Sequence, residues 1–281
     1  MKPPSFDYAA PETLDEVLDL LERVGDDAVV IAGGQSLVPI LNLRLARPEL
    51  VIDIRLIPEL ATYEISEKGL LAGAMTRVLE VEEHPDVDQV PGLHAALCQI
   101  AHPQIRSRST IGGSVAHADP AAELPALLVA LDGSIVLRSM ARGERTVSAD
   151  DFFSGPMMTA RESDELVSSV SFPAHPGQVA VLEVVKRPGD FATVGVVVGY
   201  AISDGAISSP SITAFGVGGR PMRMTSAEEA LRGASPCSES FQEAVELVRG
   251  EIAPLADAHA SSEYRRQVTA NLVERALVAL S

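Results

Sequence analysis

Apolar and polar positions follow two registers along this chain, one helical and one extended. Leu14, Val17, Leu18 and Leu21 recur three and four apart and so share one face of a helix. Thr13 stands before that run and Glu16 follows three residues later, a capping-box pattern, and Gly25 supplies the stop. Ala28 to Ala32 is a short β-branched run that reads as a strand. Pro39 to Leu45 suits a short helix, and Leu50 to Ile54 a strand. With the extended start set by Pro3 and Pro4, residues 5–57 read as β-α-β-α-β.

The pattern then changes. Gly69 to Ala74 reads as a strand with a hairpin before it. Thr76 is the candidate N-cap of a helix over Val78 to Glu83, and Leu93 to Ala101 is helical. Leu124 to Leu131 is apolar throughout and opens near Pro125, as a buried helix would. Ser134 to Arg138 and Arg145 to Ser148 read as paired strands, Asp150 starts a short helical turn, and Glu165 to Phe172 is a strand.

Pro173-Ala174-His175-Pro176-Gly177 is the strongest punctuation in the chain and marks a boundary. After it come strand-like runs at Gln178 to Lys186, Thr193 to Ile202 and Ser211 to Val217. Turns are expected at Ser203-Asp204-Gly205 and Gly218-Gly219. Helices are expected over Ser226 to Arg232, Ser238 to Gly250 and Ser262 to Leu280. Three strands followed by helices imply an α+β domain. The expected organisation is therefore 1–175, with subdomains of about 1–57 and 58–175, followed by 176–281.

Composition narrows the function classes. The 281 residues are 46% hydrophobic but only 4% aromatic, with no Trp, so the core must be aliphatic. The net charge of −17 and pI near 4.7 argue against a nucleic-acid partner and against docking on anionic lipid. Cys98 and Cys237, with no Cys-x-x-Cys spacing, hold neither an iron–sulfur cluster nor a structural zinc. No run reaches the length of a membrane span and the start of the chain has no apolar signal core, which leads to the expectation of a cytoplasmic protein. No Ser-His-Asp or Cys-His arrangement stands out, and Asp164-Glu165 and Asp150-Asp151 read as surface or cap residues. No catalytic and no metal-ligating residue is expected.

Two glycine pairs carry the candidate chemistry. Ala32-Gly33-Gly34-Gln35-Ser36-Leu37 follows a strand and precedes a helix. Thr110-Ile111-Gly112-Gly113-Ser114 sits in a similar context. Glycine permits positive φ and close approach of a ligand to the main chain, and consecutive N–H groups in such turns cradle anions. Ser36, Thr110 and Ser114 add hydroxyls. Two such turns suggest a diphosphate gripped from two sides, as in a dinucleotide cofactor. Neither the Gly-x-Gly-x-x-Gly fingerprint nor a Gly-Lys-Ser/Thr phosphate loop is present.

Four separated segments, in order, resemble one family. They are Ala32 to Leu37; Ile100 to Pro125, which contains the second glycine pair; Asp151-Phe152-Phe153 with Gly155, Thr159 and Asp164-Glu165-Leu166; and Arg187-Pro188-Gly189-Asp190-Phe191-Ala192. Together they resemble the FAD-binding medium subunit of the molybdenum hydroxylases: carbon monoxide dehydrogenases, N-heterocycle hydroxylases and xanthine dehydrogenases. Gln35 stands where relatives often have His, Thr or Asn, and Ser114 where many have Asn.

The resemblance implies a two-subdomain FAD-binding domain of the PCMH type, as in vanillyl-alcohol oxidase-like flavoproteins, then a C-terminal domain of a three-stranded sheet with helices. It implies non-covalent FAD held by Ala32, Gly33, Gly34, Gln35, Ser36, Leu37, Thr110, Ile111, Gly112, Gly113 and Ser114. Glu123 would accept from ribityl or ribose hydroxyls, or else be a solvated acid at a helix N-terminus. Asp119 is either a similar acceptor or an Asp-Pro turn former. Lys186 and Asp190 would lie near the flavin. The implied role is electron transfer: molybdopterin in a large partner subunit and 2Fe-2S clusters in a small one feed electrons to this FAD, and thence to an outside acceptor. The implied assembly is a heterohexamer, a dimer of three-subunit units. The alternatives are a stand-alone FAD-dependent oxidoreductase of the same fold and a scaffold that has lost its flavin.

Overall fold

The computed structural model describes residues 2–281; Met1, the first residue of the expected 1–57 subdomain, lies outside them. The N-terminal lobe runs β1 (Asp7–Ala9), α1 (Leu14–Val24), β2 (Ala28–Ile31), α2 (Leu37–Asn42) and β3 (Leu50–Asp53). The three strands form a parallel sheet in the order β1-β3-β2. Both halves of the capping box form: the Glu16 N–H donates to Thr13 Oγ1 and the Thr13 N–H to the Glu16 carboxylate, each at 3.3 Å. The helical stripe of α1 then buries on Ile52, Ile54 and Ile57.

The middle lobe contains β4 (Tyr63–Ser66), β5 (Gly69–Gly73), α3 (Val78–Glu82), α4 (Leu93–Gln99), α5 (Pro103–Arg106), α6 (Ile111–His117), α7 (Glu123–Ala130), β6 (Ser134–Ser139), β7 (Gly143–Ser148), α8 (Ala149–Phe152), β8 (Phe153–Gly155), β9 (Met158–Thr159) and β10 (Leu166–Pro173). Its antiparallel sheet has the order β4-β5-β10-β6-β7, and β8 pairs with β9 alone. Every residue of α7 is buried, as its unbroken apolar sequence requires. Thr76 does not cap α3. It is fully buried, its hydroxyl donating to the Thr62 carbonyl at 3.3 Å, and the cap position falls to Arg77.

The last lobe contains β11 (Gln178–Val184), β12 (Val194–Ser203), β13 (Ala206–Phe215), β14 (Met222–Arg223), α9 (Thr225–Leu231), α10 (Ser238–Glu251) and α11 (Ser262–Ala279). The expected three-stranded sheet is four-stranded, in the order β11-β12-β13-β14. The fourth strand is two residues long and has no β-branched residue, so nothing in its pattern announces it. It is held by tertiary contacts: Arg223 donates to Glu228 at 3.0 Å and to the Val129 carbonyl at the end of α7 at 3.3 Å. Strand β13 also begins earlier than expected. Asp204 and Gly205 both have positive φ, the type I′ geometry that suits a two-residue hairpin. The ladder slips one residue between Gly199 and Ala201, and this bulge accommodates Pro210.

Strand β12 is apolar on both faces because both are covered. Val194, Val196, Val198 and Tyr200 join a core under α9, α10 and α11, while Val197 joins the middle-lobe core with Phe215. Ser211 fastens the sheet to α7 by donating to the Ala130 carbonyl at 2.6 Å. No helix among the described residues is long and apolar enough to cross a membrane.

Gly195 sits opposite Phe215 in the ladder, and a Cβ there would lie 2.1 Å from the ring. Gly195→Ala is expected to destabilise the protein by about 1–3 kcal/mol through overpacking, read as a lowered urea midpoint at unchanged m-value.

Candidate functional site

The first glycine segment becomes the turn between β2 and α2. Gly34 takes φ +74°, which a residue with a Cβ adopts only with strain. Gly33 answers a different need. A Cβ on it would fall 2.2 Å from the Arg108 carbonyl oxygen, so the turn lies directly on the backbone that leads into the second segment. The backbone N–H groups of Gly33, Gly34, Gln35, Ser36 and Leu37 find no partner among the described residues. The Gln35 side chain donates to the Gly33 carbonyl at 3.1 Å and stiffens the turn. Five consecutive half-buried N–H groups without partners are unusual, because such groups are ordinarily satisfied.

The second segment differs from expectation. It is the first turns of α6, capped by Thr110, whose Oγ1 accepts from the Gly113 N–H at 3.0 Å. The N–H of Ile111 goes to the Thr76 carbonyl at 2.9 Å, that of Gly112 to the Ala74 carbonyl at 3.1 Å and that of Ser114 to the Thr110 carbonyl at 3.0 Å. These backbone donors, expected to serve an anion, are already used. The glycines serve packing instead: a Cβ on Gly112 would fall 2.5 Å from Ala74 Cα. The segment offers the cleft a close, smooth surface and the Ser114 hydroxyl.

The two segments meet along one cavity of about 370 Å³. Ala32, Gly33, Gly34, Gln35, Ser36, Leu37, Thr110, Gly112, Gly113, Ser114, Glu123 and Asp190 all line it. Ile111 does not; its side chain is in the middle-lobe core. Lys186 does not either: β11 ends at Val184 and Lys186 is exposed beyond it. Asp190 and Phe191 reach the cavity from the loop between β11 and β12, whose Gly189 (φ +84°) packs on the His102 ring. Asp119 lines the cavity and also makes the turn, its Oδ1 accepting from the Ala121 N–H at 2.9 Å.

Glu123 is not a solvated acid. It is 4% exposed at the start of α7. Burial pushes its pKa up to about 8, opposed by its own helix N–H and reinforced by the charges of Glu183 and Asp119. Glu183 on β11 is pushed up by burial to about 7, and its Oε2 is buried without a partner. At neutral pH Glu123 thus mostly keeps its proton while Glu183 is near the middle of its titration, so the two carboxyls carry less than a double negative charge.

Three further residues escaped sequence reasoning. Arg106 donates to Glu82 at 2.9 Å and to the Ile100 carbonyl at 2.9 Å, fixing the loop that forms one wall. Ser109 lines the cavity with its hydroxyl oxygen buried and unpartnered. Arg161 lines it too. Each depends on long-range packing that no local spacing encodes.

Residues 4–175 match the family described as the FAD binding domain in molybdopterin dehydrogenase, and residues 180–280 the CO dehydrogenase flavoprotein C-terminal domain. The chain belongs to the flavoprotein subunits of the molybdopterin dehydrogenases. It is 37% identical to the nicotine 6-hydroxylase medium subunit of Paenarthrobacter nicotinovorans, over 99% of this chain and 98% of that one. It is 36% identical to the caffeine dehydrogenase subunit beta of a Pseudomonas species, over 99% and 95% respectively. The fold matches carbon monoxide dehydrogenase from Hydrogenophaga pseudoflava with a TM-score of 0.94 at 36% identity, covering 100% of this chain and 98% of that one. This flavoprotein subunit is thus an FAD-binding oxidoreductase component, and its relatives are medium subunits of multi-subunit molybdenum enzymes.

The residues present fit FAD. The free N–H run suits a diphosphate, the orphaned Ser109 hydroxyl suits a ligand oxygen, and Glu123 suits sugar-chain hydroxyls. Glu123 also sets a pH dependence. Its folded pKa is raised, so the folded flavoprotein keeps a proton that the unfolded chain releases. The stability this gives is fully present below the ordinary value of 4.5 and is lost as pH rises through about 8. Thermal melts of the flavin-free subunit should show Glu123→Gln gaining on the wild type steadily from about pH 5 to about pH 8; parallel curves would refute the buried, protonated carboxyl.

Proposed function

We propose that this chain holds FAD non-covalently in the cavity between its first two lobes and relays electrons through it. The electrons arrive from the 2Fe-2S clusters of a small partner subunit, served by a large subunit that carries molybdopterin, and leave to an external acceptor. The observation that carries this reading is the run of five partnerless N–H groups from Gly33 to Leu37, which line one cavity together with Ser109 and Glu123. When bound, FAD supplies the redox chemistry. The chain's own residues do the holding. Gly33 to Leu37 take the diphosphate, with Ser36, Ser109 and Ser114 offering hydroxyls. Thr110, Gly112 and Gly113 shape the opposite wall, and Ala32, Ile111 and Gln35 support the two segments. Glu123 orients the hydroxylated chain, and Asp190, with Phe191, covers the open end. Outer-sphere electron transfer asks for no general base.

Three features support the wider arrangement: family matches that break between 175 and 180, the relatives' membership of multi-subunit enzymes, and a net acidic charge with no helix among the described residues long and apolar enough to cross a membrane. We accordingly assign 1–175 to a PCMH-type FAD-binding domain and 176–281 to the C-terminal domain. The assembly is a dimer of three-subunit units in the cytoplasm.

Purification from the native host through a tag on this chain tests the proposal. The expected result is a complex with a large molybdopterin protein and a small iron–sulfur protein, with yellow colour released to the supernatant by acid. Colour kept in the pellet would overturn non-covalent binding, and a lone yellow protein active on a small molecule would overturn the relay. Gly33→Ala should lower bound flavin per chain at least tenfold, because the added methyl must displace the Arg108 backbone.

A further inference from the structure

Two unlike sets of residues line the cavity beside the Gly33 to Leu37 turn. One set is Ile100, Glu123 and the exposed loop of Asp190 and Phe191, whose ring is 59% exposed. The other set is Leu21, Val30, Ile54 and Leu166, all of the N-terminal lobe's core or packed on it. Among the described residues that line the cavity, Arg161, in the loop before β10, is the one Lys or Arg, with His117 also on the lining.

Arg161 is anchored but not neutralised. Its Nη1 donates to the carbonyls of Glu162 at 2.8 Å and Glu165 at 2.9 Å. It forms no ion pair among the described residues. The charges of Glu165, Asp26, Asp164 and Glu162 favour its own from nearby, but two of these acids are held elsewhere: Glu165 accepts from Arg145 at 2.6 and 2.8 Å, and Asp164 from Ser139 at 2.7 Å as well as from Arg142. Burial lowers the Arg161 pKa, the signature of a charge removed from water. A largely buried guanidinium with no carboxylate in direct contact gains from any further partner the cavity brings to it. An apolar slot with one planar cation is the environment that accepts a purine face.

We propose that Arg161 binds the adenosine half of the cofactor, its guanidinium lying against the adenine ring, and that this contact makes the cavity prefer FAD to FMN. The inference rests on the FAD reading above.

The test is equilibrium binding of FAD, FMN and ADP to the flavin-free full chain, for the wild type, Arg161→Leu and Arg161→Lys. Arg161→Leu should weaken FAD about tenfold, as loss of a desolvated cation–π contact does, while FMN stays within about twofold of the wild type. ADP should compete with FAD in the wild type and fail to in Arg161→Leu. Arg161→Lys keeps a cation for the two carbonyls and therefore the fold, but lacks the planar face, and should fall between the two. Equal losses for FAD and FMN, or no loss for either, would overturn the proposal with the FAD reading intact. A well-folded wild type that binds neither flavin would overturn both.

Discussion

The cavity exists because backbone lies on backbone. Gly33 rests against the Arg108 carbonyl and Gly112 against Ala74, at separations where any Cβ would intrude. The first contact sets the distance between the first lobe and the middle lobe, and the second seats α6 against the end of β5 within the middle lobe. They also divide labour between the glycine pairs. One turn keeps its N–H groups free, while the other spends them on Thr76, Ala74 and Thr110 to hold α6 in place. Two motifs that look alike in the chain are a donor array and the wall it faces.

Behind that wall, α7 acts as the common axis. It is buried on all sides, and its C-terminal carbonyls are tied to the last sheet by Ser211 and Arg223. Its first residue is Glu123, so the position of that carboxyl is set by the packing of two lobes. An acid placed so rigidly in an apolar setting holds its proton near neutrality.

This bears on the electrostatics of a protein with net charge −17 that accepts a doubly charged diphosphate. In the proposed binding mode, local compensation comes from neutral donors and a neutral carboxyl rather than from a lysine cluster. Preorganised N–H dipoles stabilise an anion in a low-dielectric slot without a mobile counter-charge. Arg161, which also lines the cavity, is near enough to the N-terminal lobe to feel the charge of Asp26.

The sequence by itself determined the local elements and the membership of the chain in its family. The α1 stripe with its capping box, the turn at Ser203-Asp204-Gly205 and the apolar run of α7 are local signals, set by period, caps and turn stereochemistry, and they form as expected, although the turn closes a tighter hairpin than the strand pattern announced. The ordered motifs from Ala32 to Ala192 likewise carried the identity of the cofactor. What only the tertiary structure decided is where donors remain free. Whether the Gly112 N–H is available depends on Ala74, nearly forty residues away in sequence. Whether Glu123 is solvated depends on the lobe packed over it, and β14 exists because Arg223 finds Glu228 and α7. Ser109, Arg161 and Glu183 gain their character from burial, and burial is a property of the assembled lobes that no window of sequence contains.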